Sequence, residues 1–180
     1  MQYSLIEMLK NNKFDDEIYQ YLLDHPLEDV DNQDLKNNTL LTLCSSRKHI
    51  KSLTKLLEMG ANPNMANIWG FTPIGWAAHD GFINMINVLT QHKANTLHRD
   101  EKGHTPALIA IKNNRMEAAK LLIDQTYNLK DFKYFKNKTK DIMDMEDAYE
   151  KEKGRRSIFA LTDENFLEII NHVNTKINKL

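Results

Sequence analysis

The run Gly70-Phe71-Thr72-Pro73 returns as Gly103-His104-Thr105-Pro106, and the same shift of 33 residues lays Ala77 on Ala110, Leu89 on Leu122 and Ala61-Asn62 on Ala94-Asn95. A fixed period of this length is the mark of small supersecondary modules stacked in a row. One such module cannot bury its own apolar face, so its stability comes from its neighbours. The expected product is an elongated surface suited to binding, with no deep enclosed pocket.

The period can be read in terms of helix signals. Thr72 stands where an N-cap is wanted and Pro73 at the first helical position, where its missing N–H costs nothing, which predicts a helix from about Pro73 to Asp80 ended by Gly81. A second helix from about Ile83 to Gln91 carries Ile83, Ile86 and Leu89 as an apolar stripe. The next copy repeats the logic with Thr105-Pro106, a break at Asn113-Asn114 and a helix from Met116 to about Ile123. Asn114 stands where Gly81 stood, and Asn is the next best residue for a left-handed helix end. Shifted backwards, Thr39 falls under Thr72, Cys44 under Ala77 and Leu56 under Leu89, a copy without the proline. Residues 1–33 read as an N-terminal capping module, because terminal repeats need one polar face.

On these residues the chain resembles the ankyrin-repeat proteins, whose pattern G-x-T-P-L-H-x-A-A is matched through Gly70, Thr72, Pro73, Ile74, Ala77, Ala78, Gly81 and Leu89. The histidine of that pattern is replaced by Thr42, Gly75 and Leu108. Its usual hydrogen bond back to the repeat's threonine is therefore expected to be missing throughout, with modest stability as the consequence. The resemblance implies an all-α ankyrin-repeat solenoid of about five helix-turn-helix modules with degenerate caps. Its divisions are a capping module at 1–33, three repeats at 34–126, and a degenerate C-terminal repeat at 127–180 with a helical insertion at 144–157. Beyond the insertion, Leu161, Thr162 and Phe166 fit a hydrophobic staple around an N-cap, and Ile169, Ile170, Val173 and Ile177 form the stripe of a final helix.

Ankyrin-like proteins bind through the finger turns between modules and the exposed end of each first helix. That resemblance marks Lys36 and Arg47 in the first copy, Ile68, Trp69, Phe71, His79 and Asp80 in the second, and Lys102, His104 and Lys112 in the third. Leu35, Asn38, Ser46, Glu101 and Asn113 stand at neighbouring variable positions. Three apolar side chains on the middle finger make the kind of anchor that dominates interface energy. The alternative is that Trp69 and Phe71 pack on adjacent fingers. Trp76, between consensus positions of a helix, reads as core rather than contact.

Other chemistries find little support. With 24 Lys and Arg against 25 Asp and Glu, the net charge of -1 gives no global attraction to nucleic acid or acidic membranes, so a charge-driven partner must be met locally. The single cysteine, Cys44, takes a small buried alanine position, excludes an internal disulfide framework and fits a reducing cytosol. His79, His98 and His104 could approach one another along neighbouring fingers, but no H-x-x-x-H or Cys-paired arrangement exists, so no metal is expected. The stretch Lys130 to Lys140 interleaves cations with aromatics, yet Asp141, Asp144, Glu146, Asp147 and Glu150 follow and neutralise it. Glycine-rich phosphate cradles, G-x-S-x-G and H-E-x-x-H are absent. No apolar run approaches the roughly 20 residues that cross a bilayer, and the start of the chain lacks the pattern of a secretory signal.

The resulting expectation is a monomeric, non-enzymatic module holding a partner protein, without cofactor or small-molecule substrate, in the cytoplasm. A short, almost wholly repetitive chain also resembles the ankyrin effectors that intracellular bacteria deliver into a host cytosol. The second expectation is a regulator or enzyme-completing subunit acting through residues 127–180.

Overall fold

The computed structural model describes residues 2–11, 14–25 and 27–126, together with 168, 169, 171, 172 and 175. Eight helices follow one another in the main stretch: α1 (Gln2–Lys10), α2 (Asp15–Asp24), α3 (Leu40–Ser46), α4 (Ile50–Glu58), α5 (Pro73–Asp80), α6 (Ile83–Gln91), α7 (Pro106–Lys112) and α8 (Met116–Thr126). They form four antiparallel pairs. The first members pack in the order α1, α3, α5, α7, and the second members in the order α2, α4, α6, α8, so the molecule has an inner and an outer row. A continuous core lies between the rows, built from Leu5, Leu9, Leu40, Leu41, Leu53, Ile74, Ile86, Leu89, Ile111 and Leu122.

The helix starts follow from the threonines. Thr39, Thr72 and Thr105 are extended, and their hydroxyls accept the amide N–H of Thr42 at 3.1 Å, Gly75 at 3.4 Å and Leu108 at 3.4 Å. In the first repeat the hydroxyls of Thr39 and Thr42 also share a buried 3.0 Å hydrogen bond. This corrects the expectation that the bond back to the repeat's threonine is missing throughout. A threonine in the histidine's place restores it in one copy, whereas Gly75 and Leu108 carry no group that can.

The period is written most plainly in the backbone. Every positive φ among the described residues falls into one of three series at the 33-residue spacing: Asn37, Gly70 and Gly103 at the finger tips, Lys48, Gly81 and Asn114 between paired helices, and Gly60 and Lys93 after the outer helices. Left-handed backbone suits glycine and, next best, asparagine. Lys48 at φ 65° and Lys93 at φ 65° take it because the surrounding stack demands it.

α4 starts differently from its counterparts. The side chain of its N-cap residue, His49, makes no capping bond. Instead Asp15, on the neighbouring outer helix α2, accepts the amide N–H of Lys51 at 2.9 Å, that of Ser52 at 3.0 Å and the Ser52 hydroxyl at 2.6 Å. One carboxylate thereby satisfies the orphan donors of a helix 36 residues away in sequence.

Beyond α8, Ile169 is buried on the core, Glu168 pairs with Lys120, and His172 Nε2 lies 2.9 Å from Asp124 Oδ1. These contacts set the helical residues 168, 169, 171 and 172 against α8. The insertion at 144–157, the Lys130 to Lys140 stretch, the staple residues Leu161, Thr162 and Phe166, and Ile170, Val173 and Ile177 lie outside the described residues.

Candidate binding groove on the inner face

Each finger is a tight turn held by one side chain at its base. Asp34, Asn67 and Asp100 occupy equivalent positions, and each accepts the backbone N–H two and four residues on. Asp34 binds the amides of Lys36 at 2.8 Å and Asn38 at 2.9 Å, Asn67 those of Trp69 at 3.0 Å and Phe71 at 3.0 Å, and Asp100 those of Lys102 at 2.9 Å and His104 at 2.8 Å. Neighbouring fingers are tied by main chain, with Ile68 N–H donating to Lys36 O at 3.1 Å and Glu101 N–H to Trp69 O at 3.3 Å. Asn67 also donates from Nδ2 to Asn38 Oδ1 at 3.0 Å. The finger tips are therefore fixed in register, and a side chain at one position stands beside its counterparts 33 residues away.

This register gathers the predicted contact residues. Between the first two fingers and the inner helices lies a hollow of about 520 Å³ lined by Lys10, Lys36, Leu43, Arg47, Trp69 and Trp76 among others. Between the second and third lies one of about 340 Å³ lined by Trp69, Phe71, His79, Lys102, His104 and Lys112 among others. Trp69, 45% exposed, borders both, so the hollows form one groove across three fingers. Ile68 is exposed on the finger but lines neither hollow, and Asp80 is held by its neighbour His79, Nδ1 to Oδ1 at 2.7 Å.

The groove is aromatic at its centre and cationic at its edges. Phe71 packs on Trp76 with centroids 4.9 Å apart and on the edge of His79 at 6.4 Å. Trp76 is half-buried in the groove wall, and so belongs to the surface as much as to the core on which sequence placed it. The Lys36 ammonium sits 5.5 Å from the centre of the Trp69 ring, a cation–π contact across fingers. Trp69 therefore both packs on its neighbour and remains open to solvent.

The acids at the finger bases are occupied. Asp34 has a side chain only 6% exposed and holds Lys10 Nζ at 3.0 Å. Burial pushes its carboxyl upward, but the Asn38 amide, Lys10 and the Lys36 amide outweigh it and bring the pKa down to about 2. Asp100 and His104 are a buried pair, each 4% exposed, with Nδ1 to Oδ2 at 3.2 Å. Lys112 Nζ lies 3.0 Å from the ring's other nitrogen, His104 Nε2, so the imidazole is held from both sides. His104 thus supports the third finger from beneath.

Sequence reasoning passed over Lys10, Asp34 and Asp100, and read Trp76 as core. Asp34, Asn67 and Asp100 were findable, since a 33-residue shift superposes three side chains able to accept at a turn. Elsewhere, His98 Nε2 lies 3.0 Å from the Gly70 carbonyl oxygen, which engages it apart from His79 and His104. Among the described residues no group of three His, Cys, Asp or Glu stands where it could hold a metal ion. Cys44 is fully buried, and burial with nearby Asp15 pushes its thiol far above the ordinary range, so it packs as a small apolar group. No helix among the described residues is long and apolar enough to cross a membrane.

Comparison with known proteins agrees with the architecture. Residues 53–132 match the family model described as ankyrin repeats, in three copies. The human transient receptor potential cation channel subfamily A member 1 is 31% identical over 101 residues, covering 56% of this chain and 9% of the channel subunit. An ankyrin repeat protein of fowlpox virus (strain NVSL) is 34% identical over 108 residues, 57% of this chain and 32% of that protein. The mouse 2-5A-dependent ribonuclease is 30% identical over 77 residues, 42% of this chain and 10% of the enzyme. The chain thus spans a third or less of each of these relatives.

Proposed function

We propose, from the premise that this chain is an ankyrin-repeat protein, that it is a non-enzymatic module holding a partner protein in the groove across its first three fingers. One observation carries this reading: Trp69 and Phe71 stand on a single finger, with Trp69 open to solvent between two hollows. A large aromatic with one face free and its backbone pinned at both neighbours offers contact area at little conformational cost. The repeats themselves indicate protein interaction. Among the described residues no arrangement of nucleophile, base and orienting group lines the groove, and the buried Asp100–His104 pair holds a turn. The module acts in a cytosol, that of a host if the chain is a delivered effector, a role that rests on family likeness alone.

The test is capture from cytosolic extract with the wild type beside Trp69→Ala/Phe71→Ala. The reading expects a specific protein to be retained by the first and lost by the second, with both variants equally folded by circular dichroism. Equal recovery of every protein by both would remove the groove as the binding site.

A further inference from the structure

The stack places unlike side chains in register, and one series runs Lys36, Trp69, Lys102 along the three finger tips. Among the described residues neither lysine has a carboxylate within ion-pair distance, and Arg47, on the floor of the first hollow, has none either. The Arg47 Nε and the Trp76 indole N–H are buried in that wall without a hydrogen-bond partner. Asp34 and Asp100 face the same groove but are almost wholly buried and saturated by backbone amides. The exposed charge of the groove is therefore positive on a chain whose net charge is -1, with Glu101 as the exposed acid beside it.

We infer that the groove takes an extended acidic segment of a protein, with one apolar side chain on Trp69 and a carboxylate on either side directed to Lys36 and Lys102. This rests on the groove being the partner-binding face. Neighbouring fingers are separated by roughly one interhelical distance, about 8–10 Å. A segment in the extended polyproline II conformation advances about 3.1 Å per residue and completes a turn in three, so about three residues carry it from one finger to the next and return its side chain to the same face. The matching segment reads acid, two intervening residues, apolar, two intervening residues, acid. The first carboxylate lies over the hollow that holds the unpartnered donors of Arg47 and Trp76, where a charged acceptor is favoured most. Polyanion binding is the weaker fit, because Glu101 beside Lys102 opposes an uninterrupted phosphate chain.

The experiment is selection of peptides from a displayed random dodecamer library on the purified full chain, followed by fluorescence anisotropy of the enriched peptides. The expected peptides carry two carboxylates flanking an apolar residue at about three-residue spacing. Their affinity should fall about tenfold or more with Lys36→Glu/Lys102→Glu, fall with Trp69→Ala, weaken with added salt, and ignore Lys55→Glu on the outer row. Neutral or basic peptides that still depend on Trp69 overturn the acidic assignment and leave the groove in place. Peptides indifferent to Trp69→Ala, or a library without a groove-dependent binder, overturn both. Displacement of the peptides by a single-stranded oligonucleotide at equal concentration overturns the choice of a protein segment.

Discussion

The repeat at residues 34–66 and the one at 67–99 hold the same backbone with different side chains, and the differences divide by position. At the inner turns the second copy has the residues the geometry asks for, Gly70 and Gly81, where the first makes do with Asn37 and Lys48. At the helix starts the first copy is the better furnished, with the Thr39–Thr42 hydroxyl bond and the Asp15 carboxylate on α4. On the finger the first copy presents Lys36 and the second Trp69. Stack geometry dictates the backbone in both, and each copy satisfies it with whatever groups its neighbours supply. What the geometry leaves unspecified is the groove-facing set, on which the proposed binding rests.

The comparison can be broken most forcefully at the finger tips. A Cβ on Gly70 would lie 2.7 Å from Glu101 N and 2.8 Å from Asp100 Cα, whereas one on Gly103 meets nothing within 4 Å. Gly70→Ala should therefore cost about 3 kcal/mol, overpacking added to left-handed strain, and Gly103→Ala only about 1 kcal/mol from strain alone. Chemical denaturation of the two variants gives the contrast directly, and equal losses would mean that the fingers do not touch as described. Asp15→Ala comes next. It removes three hydrogen bonds from the start of α4 and leaves a buried Ser52, for about 2 kcal/mol, an effect with no counterpart at α6.

Acid should act on the first finger selectively. Because the folded Asp34 carboxyl titrates near 2, below its ordinary value of 3.8, its contribution is complete above about pH 4 and is lost as pH falls towards 2. Asp34→Asn should flatten that part of the stability profile, and an unchanged profile would show that other carboxylates produce it. The caps give a smaller effect. Thr72→Val should cost about 1 kcal/mol and Thr39→Val somewhat more, since Thr39 also bonds Thr42. The smallest effect is a gain. Lys93→Gly relieves left-handed strain of about 1 kcal/mol but frees the unfolded chain, leaving a net stabilisation of about 0.5 kcal/mol.

Helix positions were legible wherever a local signal marks them. Thr-Pro and the following Gly bound α5 at Pro73 and Asp80 as the spacing predicted, and Ile83 to Gln91 matches α6 residue for residue. Asn114 adopts the left-handed conformation expected from its register with Gly81. Long-range solutions were not legible. Asp15 capping α4 lies on another helix, and nothing about Lys48 or Lys93 as residue types suggests positive φ. For the groove, register alone brought Lys36, Arg47, Trp69, Phe71, His79, Lys102, His104 and Lys112 to one face. It did not separate His104, whose ring is turned inward to Asp100, from the exposed Lys102 two residues before it.

The most direct measurement of the central claim, that the finger register builds a binding groove on the inner face, is amide hydrogen exchange on the full chain with and without a captured partner. The account predicts new protection at residues 36–47, 67–79 and 100–112 and none on α4, α6 and α8. Protection confined to the outer helices, with the fingers unchanged, would contradict it.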